Sequence, residues 1–155
     1  MAGKIDAHIK SLGMILPVAP APIENYVPYV RSGNLVFVSG QLPMWDGQLK
    51  FQGLAGAEVS TDDAYQAARL SGLNLIAQVK AACDGDLDRV TRVVKLTGFV
   101  AAPSTFTDQP KVINGASDLM VEVFGDTGRH SRAAVGAPSL PRGATVEVEA
   151  VFEIA

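Results

Sequence analysis

The clearest alternation of hydrophobic and polar residues lies at the C-terminal end of the chain. The even positions hold Val146, Val148, Ala150, Phe152 and Ile154, and the odd positions hold Glu147, Glu149, Val151 and Glu153. A period of two is typical of a β-strand with one face buried in the core. Glu149 is therefore predicted to point away from that core.

A compact turn at residues 140–143 separates this strand from a second strand-like run that contains Arg132. A hairpin centred on the turn would place Arg132 or Ala134 opposite or diagonal to Glu149, where opposite charges interact. A guanidinium held there can bind a carboxylate through two hydrogen bonds. We predict that this pair marks the functional site. Arg132 alone is also explained as a structural partner of Glu147 or Glu149.

Strand-like and helix-like segments alternate along the rest of the chain. Strands are predicted at residues 26–30, 35–39 and 90–101, and helices at 60–82 and 108–124, the second with Pro110 in its first turn. Residues 5–12 are weakly helical, residues 17–22 hold three prolines, and residues 41–57 form a long loop with a short strand near 49–51. This order predicts an α+β fold, a mixed sheet with both helices on one face.

The predicted strand at residues 35–39 is apolar at almost every position, which indicates that both faces of the sheet are covered. Two helices account for one face only. A second copy of the chain is the simplest cover for the other face, and a boundary between subunits is a natural cleft for a small ligand. The loop at 41–57 could also provide the cover.

Composition narrows the class of partner. A chain of 155 residues with 48% hydrophobic residues is long enough for one domain. A net charge of −3 and 6% aromatic residues argue against nucleic acid as a partner. The single Cys83 excludes an internal disulfide and favours a cytoplasmic setting, and two histidines are too few for an ordinary zinc site. No apolar run suits a membrane span or signal peptide.

Three runs of sequence, residues 33–43, 132–135 and 140–150, together resemble the RidA (YjgF) family of reactive-intermediate imine deaminases. The resemblance covers roughly residues 22–155, which leaves residues 1–21 as an N-terminal arm. It implies a chorismate-mutase-like α+β fold. It also implies a homotrimer with a ligand site in each cleft between subunits.

The resemblance also implies roles for particular residues. Arg132 would bind the carboxylate of the substrate, and Glu149 would handle water and protons. The cleft would further contain Tyr26, Ser39 and Asn114, together with backbone groups near Ala134 that position the attacking water. The reaction needs neither a metal nor an organic cofactor.

The chain departs from the family pattern at three places. His130 stands where archetypal members have a proline, and Ala134 stands where many have a cysteine. The loop after Pro43, which includes Trp45, is longer. His130 adds a titratable group near the cleft, although the simplest interpretation gives it no role. These departures leave the choice of substrate open.

The leading hypothesis is therefore hydrolysis of a small 2-imino or 2-enamino acid to a 2-keto acid and ammonia. One alternative is a protein that binds keto acids without turnover. A second is cleavage of RNA, which the acidic composition disfavours. A third is an enzyme that acts on a different imine or carbonyl compound in the same cleft.

Overall fold

The computed structural model describes residues 3–19 and 25–155. The helices are α1 (Lys4–Ser11), α2 (Thr61–Ala82) and α3 (Gln109–Phe124). The strands are β1 (Tyr29–Ser32), β2 (Leu35–Gln41), β3 (Met44–Trp45), β4 (Gln48–Leu49), β5 (Val90–Ala101), β6 (Ser131–Ala137) and β7 (Val146–Ile154). Short 3-10 turns lie at Leu87–Arg89, Gly125–Gly128 and Pro141–Gly143.

The main sheet has five strands in the order β1-β2-β7-β5-β6, and β3 and β4 form a separate hairpin. The pair β5–β6 is parallel, and the other neighbours in the main sheet are antiparallel. Helices α2 and α3 pack against each other and against one face of this mixed sheet. The predicted α+β architecture is confirmed.

Strand β7 has one buried face, as the alternation in its sequence predicts. Its even-numbered side chains are buried against the helices, and Phe152 is 0% exposed. Because β7 is the middle strand, these residues form the centre of the core. The boundaries predicted for α2, β5 and α3 are also confirmed to within one residue: Ser60 caps α2 through its side chain, and Asp108 is the N-cap position of α3.

The predicted hairpin between β6 and β7 is wrong. Strand β6 pairs only with β5, and β5 lies between β6 and β7. The connection consists of residues 138–145, longer than the two to five residues typical of hairpin loops. It crosses the end of β5, where the amide of Ala101 donates to the carbonyl of Thr145 and the amide of Ala102 donates to that of Ala137.

Two smaller predictions also needed correction. The first strand spans Tyr29–Ser32 rather than residues 26–30, and Tyr26 precedes it. The loop at 41–57 contains the hairpin of β3 and β4, so its strand residues lie at 44–45 and 48–49 rather than at 49–51. The register in this hairpin pairs Met44 with Leu49.

Helix α1 is fixed to the domain. Ile9 is 5% exposed, and Asp6 forms an ion pair with Lys80 of α2 at 2.9 Å. The Asp88 carboxylate accepts the backbone N–H groups of Lys4 and Ile5, both at 2.9 Å, which satisfies two donors in the first turn of α1. The last three residues of the predicted extended segment, 20–22, lie outside the described residues, and the division at residue 21 stays a prediction.

Helices α2 and α3 cross at Gly115, where the absence of a side chain lets their backbones approach. A methyl group on Gly115 would overlap the carbonyl oxygen of Tyr65 and lie 3.0 Å from the backbone nitrogen of Arg69. Gly115→Ala should therefore destabilise the fold by about 1–3 kcal/mol, the usual cost of overpacking. Urea unfolding measures this change.

Gly72→Ala is the matched control for Gly115→Ala. Gly72 lies on the facing helix α2, and its nearest obstacle is the end of the Leu119 side chain at 2.9 Å, which can move. A gain in helix propensity of about 1 kcal/mol offsets that adjustment. Equal urea midpoints for the two variants would contradict the close backbone contact at Gly115.

Candidate functional site

Arg132 lies on β6 at the edge of the sheet, opposite the buried Leu96 of β5. Residues opposite each other in register point to the same face, so the Arg132 side chain extends on the helix side. Its Nη1 donates to Oδ1 of Asn114 at 2.8 Å and to Oγ of Ser117 at 3.2 Å. Two predicted site residues, Arg132 and Asn114, are therefore in contact.

Among the described residues, no carboxylate pairs with the guanidinium of Arg132. Within residues 3–19 and 25–155, no Asp or Glu lies within ion-pair distance of it. An arginine carries five N–H donors in a planar fork, and both described hydrogen bonds use one nitrogen, Nη1. The remaining donors are suited to a planar anion such as a carboxylate.

His130 is connected to Arg132 through the hydroxyl of Ser117. Its Nε2 is 2.8 Å from Oγ of Ser117, and its Nδ1 is 2.6 Å from the carbonyl oxygen of Gly128. Burial lowers the pKa of His130, and the positive charge of Arg132 lowers it further, whereas the hydrogen bond to Gly128 acts in the opposite direction. The imidazole is therefore neutral at pH 7. No sequence pattern predicts this contact, because Ser117 lies on α3 and His130 lies in the segment before β6.

The predicted contact between Arg132 and Glu149 is wrong within one chain. Arg132 and Ala150 flank Leu96, so they share a row on the helix face, whereas Glu149 pairs with Thr97. Glu149 is exposed on the opposite face of the sheet. The prediction that it points away from the core is confirmed, and that direction carries it away from the arginine.

Glu147, on the same outer face, has the environment of a functional carboxylate. It is half-buried, and burial raises its pKa, with a further contribution from the charge of Glu149. The register shifts between Val38 and Gln41, so Ser39 and Gly40 form a bulge there. The Glu147 carboxylate occupies the space that a side chain at Gly40 would fill.

Sequence reasoning passed over Glu147 because the alternation treats the outward glutamates of β7 alike. One usable signal was present. A glycine inside a buried strand often marks a bulge or a close approach, and Gly40 follows Ser39 at the end of β2. Its partner in β7 was not identifiable before the register was known.

Tyr26 and Ser39 line a groove of about 1130 Å³ near the start of the sheet, together with Gly40 and Trp45. The Ser39 hydroxyl donates to the carbonyl of Val27 at 2.9 Å, so its oxygen is left to accept a hydrogen bond. Tyr26 is 58% exposed. Both side chains are available to a ligand in the groove.

The predicted site residues thus form two groups in one chain. One group contains Arg132 and Ala134 of β6, with Asn114 of α3 beside them. The other contains Tyr26, which precedes β1, and Ser39 of β2. The sixth predicted residue, Glu149, lies on β7 between the two groups. Three strand spacings separate β2 from β6, which is about 14 Å. No small ligand bound to one chain can contact both groups.

The described ranges contain neither a metal-binding cluster of side chains nor a membrane-spanning helix. In residues 3–19 and 25–155, no group of three or more His, Cys, Asp or Glu side chains could hold a metal ion. Within the same ranges, no helix has both the length and the apolar character needed to cross a membrane.

A family model described as "YjgF/chorismate mutase-like, putative endoribonuclease" matches residues 6–154. The chain belongs to the YjgF family. The resemblance seen in its sequence is confirmed, and the chorismate-mutase-like fold agrees with the observed sheet and helices.

The chain is similar to three other proteins over most of its length. Protein TCP17 of Trypanosoma cruzi is 49% identical over 99% of this chain and 96% of its own length. A Dermatophagoides farinae protein named 2-iminobutanoate/2-iminopropanoate deaminase is 30% identical over 89% of this chain and 92% of its own length. The crystal structure of Atu1372 from Agrobacterium tumefaciens, a protein of unknown function, has 52% identity and a TM-score of 0.92, covering 97% and 92% of the two chains.

Proposed function

We propose that this protein hydrolyses small 2-imino and 2-enamino acids to 2-keto acids and ammonia, in clefts between the subunits of a homotrimer. The observation that carries the proposal is the Arg132 guanidinium, held at the sheet edge by Asn114 and Ser117. The name of the Dermatophagoides farinae relative supplies the class of substrate. The buried thiol of Cys83 suits a reducing, cytoplasmic setting.

A second copy of the chain would complete the site. The two groups of candidate residues lie toward opposite edges of one sheet, so the β6 edge of one subunit must meet the β1–β2 region of another. The outer face supports such packing, because Val30 is 54% exposed and Phe37 and Val135 are each 45% exposed. A ring of three copies would cover these apolar side chains.

The chemistry needs few groups, because an imine is already electrophilic. Arg132 would hold the carboxylate, and the backbone near Ala134 would position the water, so that the site supplies orientation and charge stabilisation. Water adds to C2, a proton moves to the nitrogen, and the C–N bond breaks to release ammonia and the keto acid. Glu147, rather than Glu149, would transfer these protons.

The size of the groove favours one alternative, an enzyme acting on a larger imine or carbonyl compound. The groove beside Tyr26 is about 1130 Å³ and extends to Trp45 and to apolar residues of the segment 15–19. A 2-imino acid with a short side chain fills only part of that volume. The arginine would still bind the carboxylate of such a substrate.

The test follows 2-iminobutanoate generated in situ by an amino-acid oxidase and trapped with semicarbazide. Wild-type protein should decrease the amount of trapped imine in proportion to its concentration. Imines from leucine and phenylalanine, run in parallel, distinguish a small from a large substrate. If no imine is consumed but 2-oxobutanoate binds in calorimetry, the protein is a carboxylate-binding protein and the proposed hydrolysis is wrong.

A further inference from the structure

The hydrogen bonds around His130 can run in only one direction. The Gly128 carbonyl can only accept, so the proton of the neutral ring lies on Nδ1. Nε2 must then accept, and the Ser117 hydroxyl donates to it. Arg132 can only donate, and its Nη1 donates to the same Ser117 oxygen. Each group therefore donates a hydrogen bond to the next, from Arg132 to Ser117, from Ser117 to His130, and from His130 to Gly128.

We propose that Ser117 and His130 are positioning residues that fix the guanidinium of Arg132 for carboxylate binding. Ser117 and His130 are both partly buried, so the chain of hydrogen bonds continues from the sheet edge into the fold. Asn114, the other partner of Arg132, accepts from the same nitrogen at 2.8 Å but is itself exposed. The inference rests on the proposed function in one respect, that Arg132 binds a carboxylate.

The position of Arg132 explains why such support is needed. It lies on β6, an edge strand that pairs on one side only. A long side chain there loses considerable rotamer entropy when it binds a ligand, and a guanidinium that is already oriented loses less. Ser117 supplies that orientation only while His130 accepts its proton, because the oxygen then presents its lone pairs to Nη1.

Protonation of His130 would disrupt this order. Both ring nitrogens would then donate, so Ser117 would face two donors and its own proton would have to turn away from His130. The charged group that acts on the imidazole is Arg132 of β6. On α3, Ser117 contacts the imidazole and Asn114 contacts Arg132, and neither side chain titrates. In the neighbouring turn Asp126 pairs with Arg129, and on β5 Lys95 lies opposite Ser131.

The first experiment measures the mobility of Arg132 by NMR, through the order parameter of its Nε–H bond and the rotation rate of its guanidinium. Ser117→Ala and His130→Phe should lower the order parameter and raise the rotation rate. His130→Gln can still donate to Gly128 and accept from Ser117, so it should retain the wild-type values. In the wild-type protein, Arg132 should become more mobile as the pH is lowered through the titration of His130. In His130→Gln the mobility of Arg132 should not change with pH.

Two variants on the N-terminal helix provide matched controls. Ser11→Ala and His8→Phe remove a serine and a histidine whose hydrogen bonds go to the backbone carbonyls of His8 and Glu122, and not to Arg132 or its partners. Neither should change the mobility of Arg132. An immobile guanidinium in Ser117→Ala and His130→Phe, with unchanged melting temperatures, would overturn the proposal.

The second experiment measures the Kd of 2-oxobutanoate by calorimetry. Ser117→Ala and His130→Phe should each raise the Kd roughly ten- to hundredfold, the loss expected for one hydrogen bond to a charged group. His130→Gln should stay within about threefold of wild type on the same scale. If wild type binds and all variants bind equally, the positioning role fails. If wild type does not bind, the carboxylate site fails, and the NMR result alone decides whether Ser117 and His130 orient Arg132.

Discussion

Arg132→Ala should lower kcat/KM for 2-iminobutanoate by roughly a hundredfold to ten-thousandfold, because two charge-assisted hydrogen bonds to the carboxylate are lost. The same variant should abolish calorimetric binding of 2-oxobutanoate. Its melting temperature should change little, since Arg132 lies on an edge strand and forms no ion pair with any Asp or Glu of the described residues.

Two further variants separate charge from shape. Arg132→Lys keeps the positive charge but cannot present a planar fork, so it should recover only a small part of the activity. Arg129→Ala removes an exposed arginine that pairs with Asp126 in the preceding turn, and it should behave as wild type. Full activity in Arg132→Lys would mean that the site uses only charge, and activity in Arg132→Ala would exclude this arginine from the reaction.

The fold was predictable where local patterns and tertiary packing agree. The acidic first turn after Ser60 and the alternation in β7 each reflect one element and its buried face, and both were predicted correctly. The partner of β6 was not predictable in this way. Strand order depends on how residues 138–145 cross the end of β5, and no periodicity within β6 or β7 encodes that path.

The candidate site was predictable in its members but not in its geometry. Arg132 and Asn114 were identified separately, and the structure brings them together. The choice of Glu149 rested on the wrong hairpin, which would have placed it beside Arg132, and on the family resemblance, which assigned it the handling of water and protons. Burial distinguishes Glu147 from Glu149, and burial depends on the bulge at Ser39 and Gly40, a property of two strands rather than of one.

Glu147→Gln should lower kcat roughly a hundredfold to ten-thousandfold while leaving the Kd of 2-oxobutanoate nearly unchanged, as expected for loss of a general acid–base. The half-buried Glu147 has a raised pKa, so its proton is exchanged closer to neutral pH than that of an ordinary carboxyl group. Glu149→Gln should retain most of the activity. Because the charge of Glu149 raises the pKa of Glu147, this variant should shift the acidic limb of the pH–rate profile to lower pH.

The same shift predicts that Glu147 costs stability. Its pKa is higher in the folded chain than in the unfolded chain, so the unfolded state releases the proton first as the pH rises. The cost begins near the unfolded pKa and is complete above the folded one. Glu147→Gln should therefore raise the melting temperature at pH 7. The corresponding gain in the free energy of unfolding should be under about 1 kcal/mol, because solvent screens a half-exposed group. This gain should disappear below the ordinary glutamate pKa of about 4.3. A variant that is inactive and less stable at pH 7 would show that Glu147 supports the fold rather than the reaction.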